Sequence, residues 1–337
     1  MKVVDMHCDT ISELYEDQKN GGRKHIRSNA LHLDLERMKK GDYALQNFAL
    51  FTSLKREKQP FTYAMELVDA FYQEMEANED LIGIVRTYED IEENWKKGRM
   101  SAMLTLEEGG VCQGSLRLLR DFYRLGVRMM TLTWNYPNEL GFPNRIITEG
   151  PEAGMCKPDE EHGLTETGIA FVEEMERLGM IIDISHLNDA GIWDVFSHTT
   201  KPFVASHSNA RALCGHARNL TDEMIRKLGE RGGVAGINYC AAFLGSWQNG
   251  EPKTSRLSDM AAHMKHMKKI GGIGCIGLGS DFDGIPSELE MNGADKLPLL
   301  DAEMRKEGFT STEIEAVFHK NVLRLYKEIL QQPAFPL

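Results

Sequence analysis

The chain predicts an α/β fold, an eight-stranded parallel (β/α) TIM barrel, and three observations carry that prediction. Eight short runs rich in β-formers alternate with helical stretches, the order that builds βα units and a parallel sheet. Eight is also the number of strands that closes a barrel. Finally, polar residues able to hold a metal close five of the runs, and always at the C-terminal end.

The first run, "KVVDM" (2–6), leads into "HCDT". Side chains alternate along extended backbone, so His7 and Asp9 project together while Cys8 points away, which makes a two-toothed metal clip. The second run is "YALQNFALF" (43–51), followed by the helical pattern "FTYAMELVDAFYQEMEANE". The third, "SAMLTL" (101–106), runs into Glu107 and Glu108, either of which can serve as a ligand. After the helical "SLRLLRDFYRLG" comes the fourth run, "VRMMTLT" (127–133). The helix pattern "TGIAFVEEMERLG" precedes the fifth run, "MIIDIS" (180–185), which ends at His186. The sixth, "PFVAS" (202–206), ends at His207, and the seventh is "GVAGIN" (233–238). A helical "DMAAHMKHMKKIGG" leads to the eighth, "CIGLGS" (275–280), which runs into Asp281 and Asp283. The final pattern, "TSTEIEAVFHKNVLRLYKEIL", begins with Thr310 three residues before Glu313, a capping-box signature, and several helices stop at a glycine suited to a C-cap.

The whole of residues 1–337 reads as one barrel domain, with loop insertions near 135–163 and 241–256 that follow strands and so overhang the C-terminal mouth. Hydrophobic residues make up 42% and charged residues 27%, enough apolar material for a large core. A formal net charge of −12 without a basic cluster argues against nucleic acid as a partner. No apolar window approaches the roughly 18 residues of a membrane span, nor does the N-terminal stretch carry the apolar segment of an export signal. Six cysteines without CxxC pairs read as reduced thiols, and the expectation is a cytoplasmic chain. A homodimer is compatible with all of this.

Imidazoles with carboxylates are zinc chemistry, although manganese or cobalt also suit such sites. Three histidines, a bridging glutamate and Asp9 supply ligands for two metals, and a two-metal clamp that activates water beside a polarised carbonyl makes a hydrolase. The other histidines fit less well. His263 and His266 are expected on the solvent face of an outer helix, and His25, His32, His162, His198, His216 and His319 do not close a strand.

"DMHCDT", "LEEGG" followed by "LRLLRDFYRLGVRMMTLTWN", "IDISHLND", "ASHSNARALCGHARNLTDEMI" and "IGLGSDFDG" together resemble the membrane (renal-type) dipeptidase family of zinc peptidases, over residues 3 to about 327. The resemblance implies an amidohydrolase-like, metal-dependent hydrolase barrel with two Zn2+ ions: His7 and Asp9 on one, His186 and His207 on the other, Glu107 bridging. Glu107 is preferred to Glu108 because the ungapped count from it to "RLGVRMMTLT" matches the family spacing. It further implies attack by a metal-bridging hydroxide on a dipeptide, Arg218 holding the substrate's free C-terminal carboxylate, and Asp281 handling the proton.

One departure concerns substrate range. Mammalian members carry "TLTHN", whose His helps position the scissile group; this chain has Trp134 there, an apolar wall in place of a polar hand. The β-lactam activity of some members is therefore not expected. Two rival readings are a barrel amidohydrolase acting on another small amide, cyclic amide or lactone, and a silent barrel serving as a scaffold. Arg218 speaks against the first and the full set of ligand positions against the second.

Overall fold

A computed structural model describes residues 1–147, 156–245, 247–248, 251–252 and 254–331. Nine parallel strands form its main sheet: β1 (Val3–Asp5), β2 (Tyr43–Phe51), β3 (Ile82–Val85), β4 (Met100–Glu107), β5 (Met129–Thr131), β6 (Ile181–Asp183), β7 (Val204–Ala205), β8 (Val234–Ile237) and β9 (Ile276–Leu278). Neighbours run β2-β1-β9-β8-β7-β6-β5-β4, and β4 pairs back onto β2 from Leu45↔Ser101 to Phe51↔Glu107, which closes an eight-stranded barrel. All eight predicted runs are in it. The ninth strand, β3, was not predicted. It lies along the first half of β4 (Ile82↔Met100 to Val85↔Met103), while β5 takes up the second half from Thr105↔Met129 to Glu107↔Thr131.

The barrel interior is layered, and the layering places the site. Val4, Leu45, Met103, Met129, Ile181, Val204 and Val234, one from each of seven strands, form an apolar cluster with Val322, Leu325 and Tyr326 of the C-terminal helix. Above it come buried polar side chains, Asn47, Thr131 and Asp183 from the same strands and Ser206 and Asn238 one residue past the ends of β7 and β8. Asn47 donates to the Tyr326 hydroxyl at 2.7 Å, which ties the two layers together. Neighbouring backbones crowd at this level: a Cβ on Gly236 or Gly279 would stand 2.0 or 1.8 Å from the carbonyl oxygen of Ser206, so only glycine fits.

The helices Pro60–Glu76, Leu116–Arg124, Glu166–Leu178 and Leu257–Gly271 match predicted patterns, and Gly179, at φ 76°, is a left-handed C-cap. The last predicted helix is instead three pieces, Ser311–Glu315, a π-turn over Ala316–Lys320 and Asn321–Ile329, with the Thr310–Glu313 capping box in place. Helices over Thr10–Lys19, Leu35–Lys40, Tyr88–Lys96, Asp189–His198, Asp222–Glu230 and Leu297–Lys306 were not predicted.

The solvent-facing assignment of His263 is wrong. It is 1% exposed, its Nδ1 accepts from the Ala210 N–H at 3.0 Å, and its Nε2 sits 3.4 Å from the Leu244 carbonyl. The loop after β7 and the short helix Ala241–Leu244 form a second layer over the outer helix, so an outer helix has two covered faces here. His266 is half-buried against Asp222, with Nε2 and Oδ1 2.7 Å apart.

The insertion near 135–163 contains an antiparallel pair, Arg145–Ile146 with Cys156–Lys157, and that near 241–256 contains Ala241–Leu244 and the pair Trp247–Gln248 with Glu251–Pro252. The parts at 148–155, 246, 249–250 and 253 lie outside the described residues. All six cysteines are buried and unpaired. Among the described residues no helix is long and apolar enough to cross a membrane.

Candidate active site

Each ligand candidate sits at a strand end: Glu107 closes β4, and His7, Asp9, His186, His207 and Asp281 follow just beyond their strands, where the backbone leaves the sheet. β1 stops at Asp5; Cys8 then forms a single bridge to Phe282 and packs into the core, so its neighbours His7 and Asp9 turn together toward the mouth. Asp9 occupies the N-cap position of the helix Thr10–Lys19 yet makes no capping bond, its carboxylate being directed at His7 instead. Six non-glycine residues among those described have positive φ, and four of them, Glu108, His186, Asp281 and Asp283, lie at these strand ends. Such backbone costs on the order of 1–3 kcal/mol per residue, and it concentrates where side chains must be aimed.

The side chains converge on Glu107. Its Oε2 lies 3.3 Å from His7 Nε2, and its Oε1 lies 3.1 Å from His186 Nε2 and 3.6 Å from His207 Nε2. His7 Nε2 also lies 3.4 Å from Asp9 Oδ2 and 3.8 Å from Asp281 Oδ1. Three overlapping triads result, each compact enough to surround one cation: His7, Asp9 and Glu107; Glu107, His186 and His207; His7, His207 and Asp281. Asp281 thus stands within reach of a ligand role as well as the proton role expected of it. Glu108 does not join them. It turns away to accept from the N–H groups of Gly110 (2.7 Å) and Trp134 (3.1 Å) and from Asn138, pinning the end of β4 to the start of the first insertion. Burial pushes its carboxyl up to about 7.

Three carboxylates buried this deeply among three imidazoles need either a cation or bound protons to neutralise them. Burial holds His186 down to about 4, helped by the Arg218 charge, and burial with the neighbouring His7 holds His207 well below the usual imidazole range. Both are therefore neutral rings with a lone pair to offer. Burial opposes charge on His7 too, but Glu107 and Asp9 outweigh it and raise its pKa. Burial and then the Glu107 charge raise Asp9, and the same order holds at Asp281, with burial first. Glu107 stays ionised against its own burial because His7 and His186 face it. His7 Nδ1 is buried without a hydrogen-bond partner, and Nε2 reaches the Glu107 and Asp9 carboxylates only at 3.3 and 3.4 Å, an arrangement that a cation between them would satisfy. The donor set, nitrogen and carboxylate oxygen only, fits zinc or a similar divalent ion.

Support comes from residues that sequence reasoning passed over. Asn135 Oδ1 meets His186 Nδ1 at 2.9 Å, Ser206 Oγ meets His207 Nδ1 at 2.7 Å, and Asn238 Nδ2 donates to Asp281 Oδ2 at 3.0 Å. Asp283 accepts from Thr10 Oγ1 at 2.6 Å and from the His32 N–H at 2.7 Å, so it braces the mouth rather than entering the cluster. Two buried carboxylates beneath these carried a readable signal, a charged residue inside an apolar run: Asp5 in "KVVDM", which accepts from the Ser280 N–H at 2.9 Å, and Asp183 in "MIIDIS", which accepts from Ser206.

Arg218 is 7% exposed, its guanidinium lying 5.4 Å over Phe243. Nη1 donates to Ser208 Oγ at 3.2 Å and Nη2 to the His207 carbonyl at 3.3 Å, both long, while Nε is buried without a partner. Trp134 meets Phe51 edge-on at 4.8 Å and Tyr136 at 5.6 Å, with its ring 6.1 Å from His186, and so walls the cluster on one side.

Comparison with known proteins follows the same lines. The family model for membrane dipeptidase (peptidase family M19) matches residues 1–334. A Klebsiella pneumoniae protein described as an uncharacterized protein in the pqqA 5' region is 36% identical over 241 residues, 71% of this chain and 86% of its own length. An uncharacterized dipeptidase, C965.12, of Schizosaccharomyces pombe is 31% identical over 312 residues, 88% of this chain and 72% of its own. Among solved structures, the metallopeptidase dipeptidase AC of family M19 superposes with a TM-score of 0.87 at 28% identity, covering 98% of this chain and 99% of that one. A Rhodobacter sphaeroides metallopeptidase bound to a phosphinate mimic of the dipeptide L-Ala-D-Ala gives 0.86 at 27% identity, with 98% and 99% covered.

Proposed function

This chain belongs to the membrane dipeptidase family, peptidase family M19, and is a metallo-dipeptidase; from that premise we propose that its centre is a dinuclear zinc site that cleaves dipeptides bearing a free C-terminal carboxylate. The observation that carries the reading is the division of Glu107, one oxygen toward His7 and the other toward His186 and His207. In this reading His7 and Asp9 hold one ion, His186 and His207 the other, and Glu107 bridges them.

When bound, two such cations supply Lewis-acid chemistry: they polarise a carbonyl and bring the pKa of water toward about 7. The chain's own residues do the rest. Arg218 receives the substrate carboxylate on a guanidinium whose hydrogen-bonding capacity is only partly used. That fixes the scissile bond over the cluster and favours dipeptides over longer chains. Asp281, held at Oδ2 by Asn238, keeps Oδ1 toward the cluster, where it takes a proton from the attacking water and delivers it to the leaving amine nitrogen. Trp134 shields one side from water.

The reading extends to a single barrel domain over residues 1–337 and, because all six thiols are unpaired, to a reducing, cytoplasmic compartment. The test is a panel of L,L and L,D dipeptides incubated with zinc-loaded protein, with free amino acids as the readout. Release from at least one class, abolished by a chelator and restored by zinc, is expected. No release from any member of the panel would refute the proposal.

A further inference from the structure

We propose that Asp183 is a positioning residue: acting through Ser206, it fixes the ring orientation and tautomer of His207. The consequence for metal binding rests on the dinuclear reading above; the geometry does not.

Asp183 closes β6 and is fully buried. Its carboxylate takes four hydrogen bonds. Oδ1 accepts from the backbone N–H of Ser185 (3.0 Å) and of Ser206 (2.8 Å), and Oδ2 accepts from Thr131 Oγ1 (2.8 Å) and Ser206 Oγ (2.5 Å). The last distance falls in the range of a charge-assisted O–H···O⁻ bond, so the one hydroxyl proton of Ser206 is committed to Asp183. What Ser206 Oγ then presents to His207 Nδ1, 2.7 Å away, is a lone pair, and only a protonated Nδ1 completes that contact. His207 Nε2 is thereby left as a lone pair, 3.0 Å from His186 Nε2 and 3.6 Å from Glu107 Oε1. His186 is set the same way by Asn135 Oδ1 on its Nδ1. Two imidazole lone pairs and a carboxylate oxygen then face one another with no proton between them, a cradle that a cation would complete. A buried carboxylate in the layer beneath therefore decides which nitrogen of His207 reaches the mouth.

A merely structural Asp183 would tie β5, β6 and β7 together and leave the tautomer alone, so the tautomer is what must be read. In metal-free protein with 15N-labelled histidine, long-range 15N–1H correlation should show His207 protonated at Nδ1. In Ser206→Ala, which keeps the backbone N–H bond to Asp183, the signal should move to Nε2–H or a mixture. Zinc affinity by chelator competition should fall by about 10- to 100-fold, the usual effect of losing such an outer partner, while the thermal midpoint of the metal-free form stays within a few degrees. Asp183→Asn should shift the tautomer in the same direction, and Ser206→Ala decides if that variant does not fold. A Ser206→Ala protein with His207 still protonated at Nδ1, or with unchanged zinc affinity, would overturn the proposal. Wild-type protein that shows the tautomer and its loss in Ser206→Ala but takes up no zinc overturns the dinuclear reading alone.

Discussion

Arg218→Ala offers the sharpest look at why this centre should cut dipeptides. The wild-type guanidinium is buried, with Nη1 and Nη2 on long contacts of 3.2 and 3.3 Å and Nε on none. A substrate carboxylate would gain hydrogen bonds to a charged group, each worth about 1.5–3 kcal/mol. At about 1.4 kcal/mol per decade, one such bond is roughly 10- to 150-fold in kcat/KM, and the second bond of a fork adds less because the Nη atoms already have partial partners. Arg218→Ala should therefore lose on the order of tenfold to a few hundredfold with metal content unchanged. Arg218→Lys should recover little, since a point charge cannot reproduce the fork. The assay compares a dipeptide with its C-terminal amide on both proteins, a double-mutant-style cycle. The amide should be poor for wild type and nearly equal to the acid for Arg218→Ala. If the variant still prefers the acid by the full wild-type margin, another residue reads the carboxylate and the reasoning fails.

Asp281→Asn should keep its metal and lose about a hundredfold or more in kcat, the scale of a general acid-base group; turnover lost only in proportion to lost metal would make Asp281 a ligand. Trp134→Ala removes the edge-on contacts to Phe51 and Tyr136 and should raise KM by up to about tenfold with metal unchanged, whereas an unaltered KM would put Trp134 outside the substrate's reach. His263, far from the metal cluster in chain and held by Ala210, has its pKa lowered by burial from 6.5 to about 4, so the unfolded chain binds the extra proton between those values. Its contribution is present above pH 6.5 and disappears as pH falls toward 4, at most about 3 kcal/mol. Urea unfolding at several pH values should show His263→Gln with a flatter acid limb than wild type, and identical limbs would discount the residue.

The barrel was readable because its eight strands are nearly continuous apolar runs, five of them closed by candidate ligands. β3 escaped because "IGIV" is four residues long and belongs to no closure argument; it is an addition to the side of β4. The missed helices are short or polar. Thr10–Lys19 buries only its first turn and Leu14, so little apolar period is left to see. His263 misled because an exposed position was inferred from an outer helix, and only the tertiary packing of the 241–256 insertion reveals the cover. Within the site, His7, Asp9, His186, His207, Asp281 and the Glu107–Glu108 pair stood out at strand ends, whereas Arg218 and the preference for Glu107 came only from the family resemblance. Asn135, Ser206 and Asn238 did not stand out, because small polar side chains carry no period and acquire their meaning only from the atom they face. Family spacing already favours Glu107 over Glu108, and the turn at Glu108, with φ of 113°, gives the physical reason, sending adjacent carboxylates in different directions.

A dinuclear centre must show itself first in metal content. Protein stripped, reloaded with zinc and freed of excess should be measured by inductively coupled plasma mass spectrometry, for wild type and for His186→Ala and Asp9→Ala. Close to two ions per wild-type chain and about one in each variant are expected, because each substitution removes a ligand from a different position while Glu107 remains. A wild-type chain that saturates at one ion or none, or a variant that retains both ions with full activity, would contradict the dinuclear assignment.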